Sequence, residues 1–146
     1  REFPFDRFDK FFTINYLLLN VRSGRMRYSS AGHPAPLLVR ADGSWRLLDA
    51  GGPIVGVDGI TPFDEGEVQL LAGDRIYLYS DGITEHMSDN NEQFGVERMI
   101  RRLVGQRRRS LDESCGKLLT TLQDYNRVPT FRDDVTLFAC EYRGPG

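Results

Sequence analysis

Histidine and cysteine are scarce in this chain, with two of each in 146 residues. Cys115 and Cys140 stand 25 positions apart with no partner at metal-ligand spacing, which excludes a zinc knuckle and a disulfide scaffold. Reduced thiols and a cytoplasmic location are the expectation. No apolar run approaches the roughly 18 residues of a membrane span. A signal peptide, an internal repeat and a low-complexity stretch are also missing. There is no Gly-x-Ser-x-Gly elbow, so Ser80, Asp81 and a histidine do not make a hydrolase triad. Nor is there net positive charge: 19 basic against 21 acidic side chains leave a formal −2, which offers nucleic acid no field over the whole domain.

What is present suits one globular domain. Hydrophobic residues make up 40% and charged residues 27%. A chain of this size buries roughly 68–70% of its unfolded surface. It opens on Arg1-Glu2-Phe3-Pro4-Phe5 without an initiator Met, from which an excised piece of a longer protein is expected. Residues 1–10 form a tail or linker, and residues 11–143 the domain.

Short β-rich runs dominate the first half: 11–21, 25–31, 36–40, 45–48, 54–57, 67–71 and 75–80, punctuated by Arg22-Ser23-Gly24, Asp42-Gly43, Gly51-Gly52-Pro53 and Ala72-Gly73-Asp74. Such dense turn signals predict antiparallel sheets rather than βαβ units. The period then changes. From Val96, the residues Met99, Ile100, Leu103 and Val104 fall on one helical face. Ser110 followed by Glu113 is a capping-box signature that opens a helix to about Tyr125, stopped by Pro129. Residues 134–142 read as a last strand. Many strands, two helices and one more strand predict an α+β domain.

Carboxylates occur where strands end. Ser80-Asp81-Gly82 follows the run RIYLYS, and Arg132-Asp133-Asp134 precedes the last strand. If those strand ends are neighbours, the two acidic sites would converge and suit a hard cation such as Mg²⁺ or Mn²⁺. The residues alone favour a blander reading, in which Asp-Gly is a turn and an Asp before a strand is solvated. His33 reads as a hydrogen-bonded structural residue and His86 as a solvated loop residue. Asp89-Asn90-Asn91 fails as a calcium loop, because Phe94 and Ile100 stand where Gly and Glu are needed. Six arginines between Arg98 and Arg109 read as a solvated helix face, with docking of an acidic protein or contact with nucleic acid as alternatives.

Segment order resembles the SpoIIE/RsbU-type branch of the PPM metal-dependent protein phosphatases. The resemblance is carried by FFTINYLLLNVRSGRMRYSSAGHPAPLLV (11–39), GGPIVGV (51–57), LAGDRIYLYSDGITEHMS (71–88), FGVERM (94–99) and RDDVTLFAC (132–140). It implies a four-layer α-β-β-α sandwich, here without its N-terminal strands and helix pair. It also implies that Asp81 and Asp133 ligate the same Mg²⁺ or Mn²⁺, and that phosphoserine or phosphothreonine on a protein is hydrolysed by metal-activated water. An anti-sigma-factor antagonist as substrate and an upstream sensory or receiver module follow by the same resemblance. The family's bridging Asp, in an Asp-x-x-Gly-His-Gly loop, has no counterpart, and Asp6 and Asp9 stand in no matching context. That departure implies either a piece of a larger enzyme, inactive alone, or a non-catalytic interaction module. A missing helix layer would bare one sheet face, to be met by self-association, as in a homodimer, or by partial cover from Phe3, Phe5 and Phe8.

Overall fold

The computed structural model describes residues 11–55, 62–126 and 131–145. The tail over 1–10, the Gly56-Val57 end of one expected strand and Pro129 lie outside these. Among the described residues, eight strands and three helices follow in chain order. They are β1 (Ile14–Leu19), β2 (Arg25–Ala31), β3 (Leu37–Val39), β4 (Trp45–Leu47), β5 (Gly51–Gly52), β6 (Gly66–Gln69), β7 (Asp74–Tyr79), α1 (Asp81–Thr84), α2 (Val96–Gly105), α3 (Leu111–Tyr125) and β8 (Leu137–Tyr142).

Two four-stranded sheets result, and the class is α+β, as the strand-then-helix order predicts. In the first sheet β2 pairs antiparallel with β1 on one edge and with β6 on the other. The Gly51-Gly52 pair, expected to be a breaker, instead lies parallel against Ser30-Ala31. Only glycine fits there, since a Cβ on Gly51 would stand 1.8 Å from the Ser30 carbonyl oxygen. The second sheet runs β4-β3-β7-β8, all antiparallel.

Alternation along the strands decides the layers. Met26 and Tyr28 of β2 and Val68 of β6 meet Leu38 of β3 and Ile76 of β7, making the core between the sheets. Leu37, Val39, Tyr77 and Tyr79 point the other way, onto Met99, Ile100 and Leu103 of α2 and Leu118 and Leu122 of α3. Strand β7 is therefore covered on both faces, its residues buried except for the half-buried Leu78. Truncating Ile76 to Ala would cost about 2–5 kcal/mol, a large part of the 5–15 kcal/mol typical of a domain.

The described residues thus form three layers: sheet, sheet and helix pair. Ile14, Tyr16 and Leu18 on the outward face of β1 are 46%, 54% and 50% exposed. Helix α3 starts as the capping box predicts: Ser110 Oγ accepts from the Glu113 N–H at 3.2 Å, and the Glu113 carboxylate accepts from the Ser110 N–H at 3.1 Å. Arg75, buried at the start of β7, pairs with Glu141 at 2.8 Å and donates to the carbonyls of Gln106 and Arg109. It ties the sheet to the α2–α3 connection. No helix among the described residues is long and apolar enough to cross a membrane.

Candidate functional site

Strands β7 and β8 are neighbours in register, with Tyr79 opposite Leu137, so the end of one meets the start of the other. The sequence motifs at these ends therefore face each other. Ser80 makes the junction. Its N–H donates to the Thr136 carbonyl at 3.0 Å, its Oγ accepts from the Thr136 N–H at 2.9 Å, and the same hydroxyl donates to the Asp134 carbonyl at 2.9 Å.

Gly82 completes the fit. A Cβ there would lie 2.4 Å from the Asp134 carbonyl oxygen, so the segment carrying Asp133 and Asp134 approaches closer than any side chain permits. The Ser-Asp-Gly string suggests a sharp turn. The structure gives its glycine a second duty, close packing against the other acidic motif.

Asp81 is the first residue of α1, a single helical turn that no sequence period announced; four residues are too few for one. The Asp81 carbonyl accepts from the Glu85 N–H at 2.8 Å, and its carboxylate is left to solvent. Asp133 is also exposed, with Oδ1 accepting from the Asp134 N–H at 2.8 Å. The last strand begins at Leu137 rather than at 134, so both aspartates precede it in a loop. The two expected ligands thus stand on segments joined by three hydrogen bonds. Both are hard oxygen donors, which fits Mg²⁺ or Mn²⁺ in kind. In number they are few: the described residues hold no group of three or more His, Cys, Asp or Glu arranged to hold a metal.

His86, expected as a solvated loop residue, is instead 6% exposed. Its Nε2–H donates to the Leu122 carbonyl of α3 at 2.9 Å, and its ring lies 5.1 Å from that of Phe131. It packs against Phe131, two residues before Asp133. Nothing in a lone His between Glu85 and Met87 signals that burial, which depends on α3 arriving from 36 residues away. His33 keeps a structural place, with Nδ1 3.0 Å from Thr13 Oγ1 and its carbonyl accepting from Ser30 Oγ at 3.1 Å. Asn90 and Asn91 round a tight turn in which Asn91 takes φ 59°. Cys115 and Cys140 are unbridged, and burial raises both thiol pKa values.

Known proteins resemble this chain in sequence and fold. The family model described as Stage II sporulation protein E (SpoIIE) matches residues 2–143. The phosphoserine phosphatase RsbU of Bacillus subtilis (strain 168) is 28% identical over 130 residues, which are 87% of this chain and 38% of that protein. The crystal structure of the RsbU and RsbW domains of Rv1364c from Mycobacterium tuberculosis superposes with a TM-score of 0.76 at 32% identity, covering 92% of this chain and 37% of that one. A manganese-presoaked phosphatase domain of SpoIIE from Bacillus subtilis gives 0.66 at 19% identity over 88% of this chain and 56% of its own, a likeness of fold alone. The chain spans less than two-fifths of the curated relatives it matches.

Proposed function

Because this chain belongs to the SpoIIE family, as a SpoIIE/RsbU-type PPM phosphatase domain covering residues 2–143, we propose that it supplies one side of a metal-dependent phosphatase centre. The reaction would be hydrolysis of phosphoserine or phosphothreonine on a regulatory protein, of the anti-sigma-factor antagonist class. Asp81 and Asp133 would hold a shared Mn²⁺ or Mg²⁺. Such a cation, when bound, acidifies a water and stabilises charge on phosphoryl oxygens. The chain's own residues do the positioning. Ser80 binds the Asp134-to-Thr136 backbone, Gly82 lets that backbone approach, and Phe131 on His86 seats the loop. The observation that carries the reading is this junction of the two acidic motifs at paired strand ends. The Mn-soaked SpoIIE relative supports the choice of cation, and the RsbU relatives support a regulatory phosphoprotein as substrate. A completed α-β-β-α sandwich, with a helix layer on the open face of the first sheet, belongs to the same reading.

A second reading rests on the absence, among the described residues, of a cluster of three metal-binding side chains. On it, the chain is a phosphatase-like interaction module that keeps the sheets without a full metal centre. Phosphate release from a phosphoserine protein, followed across a Mn²⁺ titration with the full-length protein, separates the two. Asp81→Asn and Asp133→Asn should each raise the Mn²⁺ requirement and lower the rate, because each removes one negative charge from the cation's surroundings. Asp134→Asn should be milder. Full activity in a folded Asp81→Asn variant would sink the metal assignment, and no Mn²⁺-dependent release in the unaltered protein would favour the module.

A further inference from the structure

We infer that the groove between α2 and α3 is a docking site for an acidic segment of a partner protein. Three of its lining residues, Arg98, Arg101 and Arg102, lie at helical spacings i, i+3 and i+4, so they share one face of α2. Thr121 and Tyr125 of α3 form the facing wall, with Phe94 also in the lining, around a space of about 380 Å³.

Within that groove one guanidinium is fixed and two are open. Arg98 pairs with Glu92, donates to the carbonyls of Gln93 at 2.9 Å and Phe94 at 3.1 Å, and lies 5.6 Å from the centroid of the Tyr125 ring. Arg101 and Arg102 are exposed and have no ion pair among the described residues. No carboxylate lines the opposite wall. Like charges at these spacings destabilise a helix by about 0.2–0.5 kcal/mol per pair. Glu97, four residues before Arg101, offsets part of that cost, and Arg102 has no carboxylate at either spacing. Here the cost is concentrated on the wall of a groove, in a chain whose net charge is −2.

Charge complementarity selects the occupant. Carboxylates of an acidic peptide can meet Arg101 and Arg102 in forked pairs, while the fixed Arg98–Tyr125 unit holds the end of the groove. Nucleic acid fits less well, because the chain's net charge of −2 gives it no overall attraction. This docking stands independently of the metal chemistry, since none of the groove residues belongs to the Asp81–Asp133 junction.

Fluorescence anisotropy of the 146-residue chain with labelled Asp/Glu-rich, Ser/Gly-rich and Lys-rich peptides of one length tests the proposal. The acidic peptide should bind alone of the three, and more weakly as salt rises. Arg101→Glu with Arg102→Glu should weaken it at least about tenfold and create binding of the Lys-rich peptide. Arg108→Glu, an exposed charge reversal outside the groove that makes half the double variant's change in net charge, should leave affinity within about twofold, with circular dichroism confirming that every variant is folded. The proposal is overturned if the acidic peptide does not bind, if Arg108→Glu is as damaging as the double variant, or if a single-stranded RNA of similar length binds more tightly.

Discussion

A single methyl group at position 82 should disturb the candidate site more than a carboxamide at position 134. The new Cβ of Gly82→Ala would press on a backbone carbonyl 2.4 Å away, and backbone, unlike a flexible side chain, yields only by moving the whole segment. That shift should cost about 1–3 kcal/mol and should carry Asp133 with it. Ser80→Ala acts more gently: it deletes both bonds made by Oγ, each worth about 0.5–1.5 kcal/mol, and leaves the Ser80 N–H bond in place. Urea denaturation midpoints and the Mn²⁺ concentration for half-maximal phosphate release, measured side by side, check the ranking. If Gly82→Ala alters neither, the close approach has no role in holding the two motifs together.

Elements differ in how locally their signals are written. Helix α3 announces itself through Ser110 and Glu113, and Ser110→Ala should cost about 1 kcal/mol. The Ser110 backbone N–H and hydroxyl hold the Glu113 carboxyl below its ordinary 4.5. A depressed carboxyl stabilises the fold above that value and loses its contribution as pH falls through the lower, folded pKa. Acid melts of the native chain should therefore lose stability below pH 4.5, and Glu113→Gln should flatten that part of the profile. An identical slope in both would remove Glu113 from the account. Helix α1 has no such signal, because one turn shows no period. Its Asp81–Glu85 bond forms where β7 has already placed Ser80.

At the scale of the whole molecule, the outward face of β1 is an unmet demand among the described residues. Ile14, Tyr16 and Leu18 form an apolar row on a strand that pairs on one side with β2. A bare row on an edge strand is a surface that soluble chains normally cover. The 146-residue chain should self-associate, with light scattering giving a mass above that of a 16.7 kDa monomer. Tyr16→Lys with Leu18→Lys should return it to a monomer without loss of strand signal by circular dichroism. A compact monomer of the unaltered chain would show that this face is satisfied in another way.

Class, most strands and the helix faces were legible in the amino-acid order because alternation, helical period and turn residues are local facts. Met99, Ile100 and Leu103 had to face a core wherever that core lay. The two acidic motifs were legible as candidates for the same reason: each combines an Asp with a strand end. Their meeting was not. It required β8, from the far end of the chain, to pair with β7 in the register that sets Leu137 against Tyr79. Nor could local pattern reveal that Gly51-Gly52 joins a sheet, that His86 is buried, or that Arg101 and Arg102 open onto a groove. Each depends on what arrives from elsewhere: the backbone of Ser30, the carbonyl of Leu122, the wall formed by Thr121 and Tyr125. Local chemistry determined which groups this protein carries, and tertiary pairing decided which of them meet.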